Sequence, residues 1–123
     1  MTRNQRVILL LEDQPLLSWE IEETLRDAGI GEAVCVQSCS KAANWLSNNT
    51  PDVAVLDVQV EDGESTEIAE VLVSRGVPII VHSGCNNGNN AIPDVFAKGT
   101  WVPKLSDPKD LLQAVTLSLR MVP

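Results

Sequence analysis

Positive charge is scarce in this sequence. Lys and Arg together number 9 against 17 Asp and Glu, for a formal net charge of −8. A nucleic-acid binder gains affinity by neutralising phosphates and needs the opposite balance, so DNA and RNA are disfavoured as direct partners. Long apolar runs are also missing. None approaches the roughly 20 residues of a membrane helix, and the run Val7–Leu11 is too short for an export signal and meets Glu12 and Asp13 at once. Histidine is limited to His82, and Cys35, Cys39 and Cys85 form no close CxxC pair, which argues against a zinc site. An odd number of such thiols fits a reducing, cytoplasmic setting. No linker or low-complexity stretch interrupts the 123 residues. One domain over 1–123, with no effector domain, is the expectation.

What is present is alternation. Short apolar runs of strand length occur at Val7–Leu11, Ala33–Gln37, Val53–Leu56, Val77–Val81 and Thr100–Val102. Helical spacing lies between them. Pro15 opens a helix with Leu17, Ile21, Leu25 and Ala28, and Gly29 stops it. Ser40 is the expected cap of a short helix carrying Ala43, Trp45 and Leu46 that ends near Asn48 and Asn49. Ile68, Val71 and Leu72 mark a third helix ending around Gly76, and a weak one is expected near Ile92–Ala97. Asp107-Pro108 caps a last helix with the stripe Leu111, Leu112, Val115 and Leu119, running almost to Pro123. Repeated strand–helix units predict an α/β fold: a doubly wound, five-stranded parallel sheet of flavodoxin-like order 2-1-3-4-5, with helices on both faces.

In such sheets ligands sit beyond the carboxyl ends of the strands. Glu12 and Asp13 follow the first strand, Asp57 the third, His82, Ser83 and Gly84 the fourth, and Lys104 the fifth. Three carboxylates, a hydroxyl and an ammonium thus converge on one rim. Clustered carboxylates repel, and Mg²⁺, which prefers oxygen ligands, compensates them. Asp57 then becomes a candidate nucleophile for a phosphoryl group, whose peripheral oxygens Mg²⁺, Lys104 and Ser83 can hold. Taken singly, each residue is more simply a loop acid, a cap or a solvated charge; the set at the correct strand ends is what carries the reading. His82, one residue from Ser83, is expected to face the opposite side of the sheet. Trp19 and Trp45 are expected to pack on their helices, with Trp19 partly exposed. The acids Glu61, Asp62 and Glu64 are most simply a solvated loop.

The segments VILLLEDQP, VAVLDVQVEDGES, PIIVHSG and WVPK, in that order, resemble the receiver domain of bacterial response regulators over essentially the whole chain, and LLLEDQPLLSWEIEETLRDAG and LDVQVEDGES look in particular like the single-domain alphaproteobacterial type. The resemblance implies a phosphoacceptor at Asp57, an acidic metal pair at Glu12 and Asp13, and a backbone-carbonyl metal ligand at Gln59. It implies a switch hydroxyl at Ser83, a phosphate-binding lysine at Lys104 and a switch aromatic at Trp101. It also implies a histidine kinase or histidine phosphotransfer protein as donor, a downstream protein target, and a chain that catalyses only its own phosphorylation and dephosphorylation.

There are departures from the family pattern. Leu105 follows Lys104 where a cis proline is usual, so a trans bond is expected there. The Met-Pro step after the phosphoacceptor is replaced by Val60-Glu61-Asp62-Gly63, and the Asn/Gly-rich stretch Cys85–Pro93 should shorten or displace the fourth helix. Three rivals remain. A dehalogenase-type phosphatase needs an acid two residues after the nucleophile, where Gln59 stands. A flavodoxin-like FMN carrier needs a phosphate-binding loop where Glu12 and Asp13 would repel it. A non-phosphorylated pseudo-receiver acting as a binding module is separable only by assay.

Overall fold

The computed structural model describes residues 6–83, 93–104 and 107–120. Two of the apolar runs form its central strands, β1 (Val7–Leu11) and β3 (Val53–Leu56). Ile8 to Leu11 and Val53 to Leu56 are at most 1% exposed, so both faces of these strands are covered. Alternate side chains point opposite ways. Leu9, Leu11, Ala54 and Leu56 enter a cluster with Ala42 and Leu46 of α2 (Cys39–Leu46) and Ile68, Ala69 and Leu72 of α3 (Thr66–Ser74). Ile8, Leu10, Val53 and Val55 enter another with Ile21 and Leu25 of α1 (Pro15–Ala28) and Leu111, Val115 and Leu119 of α4 (Pro108–Arg120).

The strands pair in parallel in the order β2 (Glu32–Val36), β1, β3, β6 (Ile79–Ser83), β7 (Thr100–Pro103). Counted within this sheet, the order is the expected 2-1-3-4-5, with helices on both faces. A two-stranded antiparallel hairpin, β4 (Gln59–Val60) and β5 (Gly63–Glu64), follows β3 and was not anticipated.

Several boundaries differ from the sequence expectation for identifiable reasons. The fourth sheet strand begins at Ile79 and not at Val77, because the Val77 amide is bound by the Leu72 carbonyl at 3.0 Å and finishes the α3 turn. His82 and Ser83 are therefore strand residues, paired with Val102 and Pro103. The second strand starts one residue early, at Glu32. Ser40 does not cap α2. Ser38 does, its hydroxyl accepting from the Lys41 amide at 3.1 Å. The buried stripe moves accordingly to Ala42 and Leu46, with Trp45 half-buried and Ala43 exposed.

Other expectations hold. Pro15 opens α1, and Gly29 closes it at φ +66°, donating its amide to the Arg26 carbonyl. This left-handed conformation is one that glycine adopts without a Cβ penalty. Asp107 Oδ1 accepts the Lys109 amide at 2.9 Å at the start of α4. Trp19 departs from the expected packing: it is 61% exposed and belongs to neither core cluster. The helix expected near Ile92–Ala97 is a 3₁₀ turn over Asp94–Lys98 that buries Phe96, with Ile92 outside the described residues. Residues 85–92 of the Cys85–Pro93 stretch, Leu105 and the chain beyond Arg120 also lie outside them. Among the described residues no helix is long and apolar enough to cross a membrane.

The two serines of α2 give a direct test. Ser38→Ala removes the cap and should lower stability by about 1 kcal/mol in urea unfolding, whereas Ser40→Ala on the exposed side should be near neutral. Equal losses would return the cap to Ser40.

Candidate functional site

The sheet ladder runs one rung past three strand ends and fixes three backbones there. The Glu12 amide donates to Val36 O at 3.0 Å, the Asp57 amide to Leu11 O at 3.1 Å, and the Lys104 amide to Ser83 O at 3.0 Å. The Glu12, Asp57 and Lys104 side chains then meet. Lys104 reaches past β6 to place Nζ 2.6 Å from Asp57 Oδ2 and 3.2 Å from Glu12 Oε2. All three are withdrawn from solvent, with side-chain exposures of 13% for Lys104, 6% for Asp57 and 1% for Glu12. Glu12 Oε2 also accepts the Gln14 amide at 3.0 Å. Glu12 Oε1 is 3.2 Å from Nζ but outside hydrogen-bonding geometry, and among the described residues it has no hydrogen-bond partner.

Burial pushes the Glu12 carboxyl above its ordinary range, opposed by the Gln14 amide and by Lys104. Burial alone would pull Lys104 down. The hydrogen bond and charge of Asp57, with the charge of Glu12, outweigh it and hold the ammonium above its usual value. Asp13 is half-buried, and one oxygen each from Glu12, Asp13 and Asp57 lie within 4.8 Å of one another. The donor set fits a hard divalent cation: it is all oxygen, it carries more negative charge than Lys104 alone balances, and it contains a buried oxygen that lacks a hydrogen bond among the described residues.

The other sequence candidates fall around this cluster. Gln59 is exposed, and its amide lies 3.3 Å from Asp57 Oδ1. Ser83 ends β6, half-buried, and shares a face with Val81. Among the described residues its hydroxyl makes no hydrogen bond to the carboxylate–lysine cluster. Trp101 pairs in register with Val81 and packs half-buried on the same side of the sheet. His82 faces the other way, as expected, and lines a narrow cleft between α1 and α4 with Leu17, Ile21 and Leu111. Burial, then the Lys104 charge, pull its imidazole below the ordinary range. Cys35 and Cys39 are free thiols, and burial, then Asp62, push Cys39 up to about 11. Cys85 and Gly84 lie outside the described residues.

Two residues were overlooked or misjudged in the sequence. Asp62 is no idle loop acid: its carboxylate accepts the Cys39 and Ser40 amides at 2.8 and 3.1 Å and so ties the hairpin to the start of α2. Ser65, just before α3, is fully buried behind Asp57. The Asp62-Gly63 step is a hairpin signal, but strands of two residues leave no alternation to read beside it.

The fold and this rim define a receiver, and comparison with known proteins agrees. The sequence profile of the family described as response regulator receiver domain matches residues 8–116, and the chain belongs to that family, whose members act in two-component signalling. Over 79 residues the chain is 35% identical to the sensory transduction protein LytT of Bacillus anthracis, a match covering 60% of this chain but only 31% of LytT. A response regulator receiver protein from Sinorhizobium medicae WSM419 is similar in structure, with a TM-score of 0.79 at 27% identity, covering 95% of this chain and 96% of that one. A CheY-like receiver domain protein from Methanospirillum hungatei JF-1 shares the fold, with a TM-score of 0.80 at 20% identity over 96% of each chain.

The charge balance makes a testable statement. With no divalent cation present, Asp13→Asn removes one of three mutually repelling carboxylates and should stabilise the fold by about 1 kcal/mol. Thermal unfolding in chelator is the measurement, and a clear loss of stability would mean that Asp13 is held by attraction.

Proposed function

We propose that the chain is a receiver that accepts a phosphoryl group on Asp57 with Mg²⁺ and thereby switches protein–protein interactions. The observation that carries this reading is the 2.6 Å contact of Lys104 Nζ with Asp57 Oδ2 inside a three-carboxylate rim. The Lys104 ammonium offsets the cost of burying the Asp57 carboxylate, and a carboxylate oxygen can serve as a nucleophile toward phosphorus. In the transfer, an Asp57 oxygen forms the new bond to phosphorus as the donor's nitrogen–phosphorus bond breaks, and the electron pair of that bond leaves on the donor histidine. Lys104 follows the charge as it moves from the carboxylate to the phosphoryl oxygens. Glu12 and Asp13, with the Asp57 carboxylate and the Gln59 carbonyl, would hold Mg²⁺. When bound, the metal supplies the positive charge that the rim lacks. Ser83 would bind a phosphoryl oxygen. The donor is a histidine kinase or histidine phosphotransfer protein, the recipient of the signal is a protein, and the setting is cytoplasmic. The chain turns over no other substrate.

Treatment with acetyl phosphate and Mg²⁺ should give one acyl phosphate by mass spectrometry. It should vanish in Asp57→Asn and in chelator, vanish in Asp13→Ala, and weaken less in Glu12→Ala, where Lys104 and the Gln14 amide already occupy one oxygen. A wild-type chain that binds Mg²⁺ but stays unmodified by every donor would favour the pseudo-receiver reading.

Output is proposed to pass through Ser83 and Trp101, which share one face of the sheet. Recruitment of the hydroxyl to the phosphoryl group would free space beside β6 into which Trp101 moves, provided the two arrangements bind the phosphoryl group differently. A variant keeping only Trp101, with Trp19 and Trp45 replaced by Phe, should change fluorescence on adding beryllofluoride and Mg²⁺. An unchanged spectrum would direct the search to another surface, α1 first.

A further inference from the structure

Ser65 stands at the position before α3 where a serine normally caps the helix, yet its side chain makes no capping bond. Its hydroxyl instead points back to the phosphoacceptor strand and donates to Asp57 O at 2.6 Å, with Val58 O at 3.4 Å. Its amide donates to Val58 O at 2.9 Å. The residue is fully buried. A cap contributes about 1 kcal/mol, so a serine that leaves its helix uncapped to hold a strand carbonyl is performing another task. These bonds close the base of the β4–β5 hairpin. At its tip, Asp62 anchors the hairpin to the Cys39 and Ser40 amides of α2. The Asp57–Val58 peptide is thus held from behind, and with it the short path from Asp57 to Gln59.

We infer that Ser65 is a positioning residue for the cation site: by clamping the Asp57 carbonyl it sets where the Asp57 carboxylate and the Gln59 carbonyl lie relative to Glu12 and Asp13. This rests on the Mg²⁺-dependent reading above and names a residue outside the acidic rim that tunes it. Groups that orient metal ligands without touching the metal commonly change affinity by about tenfold when removed. Ser65 touches the backbone of one proposed ligand directly and closes the loop that carries the other.

The test is Mg²⁺ affinity of the whole chain by isothermal calorimetry, beside acetyl phosphate labelling rates as a function of Mg²⁺. Ser65→Ala should weaken Mg²⁺ binding by about tenfold and raise the Mg²⁺ needed for half-maximal labelling equally, with the rate at saturating Mg²⁺ largely recovered. Gly29→Ala, which strains the left-handed close of α1 at the end of the helix remote from the rim, is the control and should lower stability while leaving Mg²⁺ affinity unchanged. Should Ser65→Ala not fold, Ser65→Cys keeps the shape and substitutes a weak donor, and it should show the same direction of loss. Unchanged Mg²⁺ affinity in a folded Ser65 variant overturns the inference while the function stands. A wild-type chain that binds no Mg²⁺ overturns both.

Discussion

The interaction on which the site depends is the pairing of one buried ammonium with two buried carboxylates from the first and third sheet strands. Glu12 and Asp57 are almost without solvent, and removing ionised groups from water is costly unless a counter-charge and hydrogen bonds replace it. Lys104 supplies that counter-charge from the turn just after β7, on the far side of β6. The long lysine arm suits this reach, and its ammonium can contact two carboxylates at once. The balance is incomplete. With Asp13 the rim holds three carboxylates for one cation, so it is preset to favour further positive charge at the same place.

The fold that brings these groups together was legible because strand order follows from the alternation of elements, and strand ends follow from where apolar runs stop. Val7–Leu11 and Val53–Leu56 are unbroken apolar runs because both faces are covered, and their ends point unambiguously to Glu12 and Asp57. The fourth strand was harder. Val77 and Pro78 look like strand residues by type, but the backbone bond from Val77 to Leu72 assigns Val77 to the end of α3. Ser38 and Ser40 are both chemically able to cap α2. Which one does is decided by which places Ala42 and Leu46 toward the sheet, a matter of packing against β-strand neighbours distant in sequence.

Asp62 and Ser65, whose roles escaped the sequence, share one property: each makes a bond between a side chain and a backbone group brought close by the fold. Asp62 meets amides about twenty residues earlier in the chain, and Ser65 meets a carbonyl on the opposite side of a hairpin. Neither bond leaves a periodic trace. An acid in a polar loop and a serine before a helix each have a simpler local explanation, which the fold overrides in both cases. The acidic rim was easier to find because its residues are identified by position on the sheet, whereas these two are identified only by what they touch.

The same sheet also separates two environments that adjoin the rim. Successive residues of β6 point to opposite faces, so Ser83 and His82 are neighbours in sequence and strangers in packing. Ser83 lies on the side of Trp101, α3 and the 3₁₀ turn, where the core is continuous with the proposed output surface. His82 lies on the side of α1 and α4, its Nδ1 buried without a hydrogen bond among the described residues and its imidazole disfavoured as a cation by burial and by Lys104. Lys104 lines that cleft as well as the rim. A movement of the ammonium toward a phosphoryl group would therefore be felt on both faces at once: as a lost positive neighbour beside His82 on one side, and through Ser83 on the other. The lysine adjoins both, and the backbone bond from its amide to the Ser83 carbonyl is what places it there.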